Sequence, residues 1–158
     1  MEWTSLAGTA LGAVIATASG ALLERRRWRR ERGERDVAVR RALYAEYLAG
    51  LAEARSAGAV LARNTAMDPA DRFTTAREAF APCIRLRYQM AITAPADVVR
   101  ASDEAFRRLR DFRDSVIEGA AEHDAAYVDS KLAYNEALSA LQEMMRQDLV
   151  DEGTGPRR

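Results

Sequence analysis

Residue types that do chemistry are sparse in this chain of 158 residues. Glu118, Glu122, His123 and Asp124 bring metal-ligating types into one short stretch. A di-iron or di-manganese centre in a helical protein needs Glu-x-x-His pairs from two helices and further glutamates from the facing ones. His123 is the only histidine, and Ala120 stands three positions before it, so that motif is absent. Successive positions also point in different directions, which suits a solvated helix end better than a ligand set. Cys83 is the only cysteine, which rules out an intramolecular disulfide and any zinc site built on cysteine pairs. It follows Pro82 in an apolar stripe and reads as a small core residue, not a reactive thiol. No Gly-x-x-x-x-Gly-Lys phosphate loop occurs. The expectation is a non-enzyme with no catalytic residue, no metal ligand and no cofactor.

The remaining chemistry is that of charge beside an apolar run. The 21 residues from Trp3 to Leu23 carry no charge and lead directly into Arg25, Arg26, Arg27, Trp28, Arg29, Arg30 and Arg32. An apolar helix of that length spans about 30 Å, the thickness of a bilayer core, and basic residues are retained on the cytoplasmic side. The pattern predicts a single-pass inner (plasma) membrane protein with its N-terminus outside and most of the chain cytoplasmic. A cleaved signal would carry its positive charge ahead of the apolar run, whereas only Glu2 stands there. The arginines and Trp28 are predicted to contact anionic lipid headgroups at about 1 kcal/mol per basic residue. Nucleic acid is disfavoured as a partner: Glu24, Glu31, Glu34 and Asp36 interrupt the cluster, and residues 42–158 carry 15 basic groups against 19 acidic ones. Within the apolar run, Gly8, Gly12, Ala16 and Gly20 recur every fourth position, a spacing that lets two helix backbones approach closely. A homodimer or another membrane partner is the implied contact.

These residues must be positioned by helices. Alanine, leucine, arginine and glutamate are plentiful, and the class expected is all-α, an N-terminal membrane helix continuing into an antiparallel bundle of about four helices. The predicted organisation is a transmembrane anchor over 1–23, an arginine-rich juxtamembrane segment over 24–36, a bundle over 37–150 and a disordered tail over 151–158. The first bundle helix has Val37, Tyr44, Tyr47, Leu48, Leu51 and Leu61 at helical spacing. Asp68 and Pro69 make a helix start, and Phe73, Phe80, Ile84 and Tyr88 are the stripe expected to be buried behind it. Pro82 should kink or divide that helix. A third helix opens near 93–95 and buries Val98 or Val99, Phe106, Leu109, Phe112 and Val116. Asp103 with Arg107, Glu104 with Arg108, Arg107 with Asp111 and Arg110 with Asp114 are spaced for ion pairs along its exposed side. Gly119–Asp124 is the last connection, or Gly119 sits within one longer helix. The final helix carries Tyr127, Tyr134, Leu138, Leu141, Met145 and Leu149. All five tyrosines are expected as core residues with their hydroxyls near the rim.

The N-terminal apolar run with its arginines, the stretches Arg41-Ala42-Leu43-Tyr44-Ala45-Glu46-Tyr47-Leu48 and Ala94-Pro95-Ala96-Asp97-Val98-Val99, and the helix holding Tyr127 to Leu141 together resemble a set of small actinobacterial membrane proteins of unknown function. Lys131 is the only lysine, a bias that agrees with a high-GC genome. The resemblance implies architecture and assigns no residue a role. The expected function is a protein-interaction tether or scaffold at the cytoplasmic face of the membrane, with an unknown protein partner. The alternatives are a bundle that holds a small apolar ligand or lipid, and a soluble helical oligomer if the first segment is not inserted.

Overall fold

A computed structural model describes the backbone from Trp3 to Gly153, and the side chains of Glu24, Trp28 and residues 31–150. It contains four helices and, among the described residues, no strand: α1 (Trp3–Arg63), α2 (Pro69–Thr93), α3 (Ala96–Ile117) and α4 (Ala125–Gly153). The chain divides into two units, Met1–Ala38 and Val39–Arg158.

The second unit is an antiparallel four-helix bundle, as its cross-helix contacts show. Glu46 of α1 meets Arg85 of α2, Tyr47 of α1 meets Ser102 of α3, and Tyr44 of α1 meets Asp148 near the far end of α4. Helix breaks fall where local chemistry places them. Asp68 caps α2 by accepting a hydrogen bond from the Ala70 amide at 2.8 Å, with Pro69 in the first turn. Gly119 ends α3 at φ +100°, a left-handed conformation that costs glycine least. The Gly119 and Ala120 amides then donate back to Val116 and Ser115. This geometry excludes a single longer helix through Gly119.

The core follows the expected stripes of three helices. Tyr44, Tyr47, Leu51 and Leu61 of α1, Val98, Phe106, Leu109, Phe112 and Val116 of α3, and Tyr127, Tyr134, Leu141 and Met145 of α4 are buried. Helix α2 departs from expectation. It buries Ala76, Phe80, Cys83, Leu86 and Met90, while Phe73, Ile84 and Tyr88 stand in solvent. The buried row packs against α1, where a Cβ on Gly50 would lie 3.5 Å from Leu86 Cδ1 and 3.6 Å from Cys83 Sγ. Helix α2 also runs unbroken through Pro82. That proline faces solvent, so water can reach the carbonyl it leaves without a donor.

Three other expectations are corrected. Among the described residues no helix is long and apolar enough to cross a membrane. This overturns the predicted localisation as a single-pass inner-membrane protein and removes the membrane-spanning element from the predicted fold class. The physical reason lies in the described part of α1, where charged residues recur at short intervals from Glu31 to Arg63 and no apolar run of bilayer length forms. The 3–23 segment on which the expectation rested has its side chains outside the described residues. Helix α4 continues to Gly153, past the predicted start of the tail, and residues 154–158 lie outside the described residues. The surface pairs on α3 are also redistributed. Glu104 meets both Arg107 and Arg108, and Asp103 pairs across to Arg87 of α2 at 2.8 Å instead of with Arg107. A longer arginine reaching from a neighbouring helix competes freely with an in-helix partner, because each exposed pair is worth only a few tenths of a kcal/mol.

Candidate functional site

Helix α2 has two apolar rows, and the bundle uses one. The unused row carries Phe73 and Ile84, each 45% exposed, Tyr88, 70% exposed, and Ile92, 87% exposed. At about 100° per residue these positions lie within roughly a third of a turn of one another, so they form one continuous face. Ala81 fills the gap between Arg77 and Ile84 on that face and keeps its relief low. Scattered exposed apolar residues are ordinary, but a row of four large ones along one helix is the pattern of a contact surface.

At its N-terminal end this face opens into a cleft of about 370 Å³ lined by Phe73 and Arg77 of α2, Arg113, Asp114 and Ile117 of α3, and Glu118. Arginine stacking shapes its walls: the Arg77 guanidinium lies 5.4 Å from the Phe73 ring centre, and Arg113 lies 5.0 Å from that of Phe80. Arg113 is also held by Asp114, with Nε donating to Oδ1 at 2.8 Å. The preceding turn of α2 is fixed by Arg72, a buried charge whose guanidinium donates to the carbonyls of Asn64 and Thr65, each at 3.2 Å, and so ties the α1–α2 connection to α2. The cleft can therefore hold an aromatic or aliphatic group between arginine and apolar walls, with carboxylates at its edge.

The nucleophilic and titratable groups in the bundle centre are closed off. Burial pushes the Cys83 thiol up to about 11 and the Tyr47 hydroxyl up to about 12, the latter against a hydrogen bond with Ser102 that lowers it. Burial raises Tyr134 as well. Each group binds its proton more tightly folded than unfolded, so the folded state holds more protons above the ordinary values of 9.0 for Cys83 and 10.0 for Tyr47. Their stabilising contribution is complete below pH 9.0 and is lost as pH rises through about 11 for the thiol. Urea midpoints measured from pH 8 upward should accordingly fall, with Cys83 staying inert to a thiol reagent until the chain unfolds. Midpoints that stay flat to pH 11 would contradict this burial.

Tyr134 is fully buried, and its hydroxyl has no hydrogen-bond partner among the described residues. Tyr134→Phe removes that polar atom while keeping the ring, and should leave stability unchanged or raise it by about 1 kcal/mol. A loss of more than 1 kcal/mol in urea unfolding would show that the hydroxyl is satisfied. The tyrosines therefore differ from the rim placement expected of them. Tyr47 and Tyr134 are enclosed, Tyr44 donates to Asp148 Oδ2 at 2.7 Å, and Tyr88 lies outside the core altogether.

Of the predicted contact residues, Gly8, Gly12, Ala16, Gly20, Arg25, Arg26, Arg27, Arg29 and Arg30 have side chains outside the described residues. Trp28 is 59% exposed and Arg32 is exposed; with Glu31 and Arg35 they line a shallow depression of about 180 Å³ in the first unit. His123 is exposed, and Asp124 Oδ2 accepts from the Ala121 amide at 2.7 Å, which makes that stretch a helix entry. Among the described residues no three metal-ligating side chains gather. Phe73, Ile84 and Tyr88 were visible in the sequence as part of an apolar row expected to be buried; Ile92 was not singled out, and what the sequence withheld was that these residues face outward.

Fold and surface together define a four-helix bundle with a solvent-facing apolar row on α2 and an adjoining cleft. Comparison with protein-family models, with curated proteins and with solved structures gave no match.

Proposed function

We propose that this chain is a non-enzymatic helical association module, which works by presenting the outer face of α2 to another protein surface. The observation that carries this reading is the exposure of Phe73, Ile84, Tyr88 and Ile92 along one helix whose opposite side is fully packed. Exposed apolar area contributes nothing to the bundle and favours association by about 25 cal/mol for each Å² it removes from water. The closed environments of Cys83, Tyr47 and Tyr134 support binding over chemistry, because each is held in its less reactive protonated form. This is the reading of a helical oligomer, without the membrane anchor.

The test is a double variant, Tyr88→Glu with Ile92→Glu. Both side chains are exposed, so helix content and melting temperature should change little, within about 0.5 kcal/mol of wild-type stability. Association of the full chain, measured by light scattering after size separation and by cross-linking in the expressing cell, should be abolished. A wild-type chain that associates with nothing under either measurement would refute the reading.

A further inference from the structure

The face on α2 is complementary to itself when two copies lie antiparallel. Ala70, Arg77, Ile84 and Ala91 form one row along the helix, and Thr74, Ala81 and Tyr88 form the row beside it. With a two-fold axis set between positions 82 and 83, Ile84 of one copy comes opposite Ala81 of the other, a large side chain against a small one. The same register sets Arg77 opposite Tyr88, a cation against an exposed ring. On the flank of the face, Glu78 comes within two residues, about 3 Å along the axis, of Arg85 in the other copy, and the relation is reciprocal. Glu78 has no ion-pair partner among the described residues, and Arg85 is engaged only in an exposed pair with Glu46 at 3.3 Å, which gives up little on rearrangement.

The cleft supplies a second, independent complementarity. It lies at the Phe73–Arg77 end of α2, and the two most exposed apolar side chains, Tyr88 and Ile92, lie at the other end. Antiparallel pairing brings the Tyr88 and Ile92 end of each copy to the cleft of the other. There the tyrosine ring meets Arg77, Phe73 and Ile117, and its hydroxyl comes near the Asp114 and Glu118 carboxylates. Because knob and cleft sit on the same helix either side of one axis, the arrangement closes after two copies and does not propagate.

We infer that the partner of the α2 face is a second copy of this chain, in a closed antiparallel dimer with Tyr88 of each copy seated in the Phe73–Arg77–Ile117 cleft of the other. The inference rests on the association reading above and names its partner.

Sedimentation equilibrium of the full chain should show a species of twice the 17.5 kDa chain mass. Glu78→Arg or Arg85→Glu alone should weaken the dimer at least about tenfold, since each change acts at two symmetric contacts, and the combined charge swap should return it to within about threefold of wild type. A photo-reactive phenylalanine analogue at position 88, incorporated in cells, should cross-link to residues 73–77 of a second copy. A monomer at all concentrations up to about 100 μM, or single swaps without effect, overturns the dimer. A position-88 cross-link to a different protein also overturns it, while leaving the association reading standing. Absence of any cross-link together with a monomeric chain removes both.

Discussion

Replacing Asp148 by alanine should destabilise the bundle by about 2–3 kcal/mol, the cost of removing a charged acceptor shared by a part-buried ion pair and a hydrogen bond. Asp148 Oδ2 accepts the Tyr44 hydroxyl at 2.7 Å and lies 3.1 Å from Arg40 Nε, and the arginine and aspartate side chains are only 11% and 8% exposed. Alanine would remove the carboxylate that both the Arg40 guanidinium and the Tyr44 hydroxyl reach. The expected fall in melting temperature is about 10 °C for a chain of this size. Asp148→Asn keeps an acceptor for Tyr44 and should fall between wild type and alanine. Arg40→Met combined with Asp148→Leu removes both charges and should cost far less than alanine alone, because hydrophobic replacement of a whole buried pair is often neutral. Urea unfolding of the three variants checks the ordering. A loss below 1 kcal/mol for Asp148→Ala would mean that Arg40 reaches water once released.

The second large effect sits where the Phe112 ring of α3 packs against Gly58 of α1. Phe112 is buried and its ring lies 5.2 Å from that of Tyr127, while a Cβ placed on Gly58 would meet Phe112 Cε1 at 2.5 Å. Phe112→Ala should cost about 3–5 kcal/mol through lost burial and the cavity left behind. Gly58→Ala acts oppositely, by overpacking. Its strain of about 1–3 kcal/mol is offset by the gain in helix propensity of about 1 kcal/mol. The two positions are coupled through one gap, so Gly58→Ala should be better tolerated in a Phe112→Leu background, by at least about 0.5 kcal/mol in a double-mutant cycle. Strict additivity would show that the ring moves aside without cost.

Much of the architecture was legible because it is local. Asp68 and Pro69 mark a helix start through a side-chain cap and a missing amide, which needs no distant residue, whereas the end of α3 at Gly119 was one of two readings until its positive φ decided it. The stripe of α3 was legible for a related reason: that helix has one strong apolar side, so there is only one side to bury. Pro82 misled because a proline's cost depends on whether solvent reaches the freed carbonyl, which its neighbours in sequence do not state.

Helix α2 marks where the sequence alone stops. By itself the sequence determined an all-α chain, its helix boundaries near 63, 69 and 93, and the presence of an apolar row through Phe73, Phe80, Ile84 and Tyr88. It also contains a second row through Ala76, Phe80, Cys83, Leu86 and Met90, and helical periodicity is the same for both. Tertiary structure made the choice. The row that packs against Gly50 of α1 is the one holding Cys83 and Leu86, and dispersion and burial grow with the number of atoms brought into contact. Phe73, Ile84 and Tyr88 were left facing solvent while Phe80 was taken into the core, and the surface proposed to carry the protein's function is the side of α2 that the core did not use.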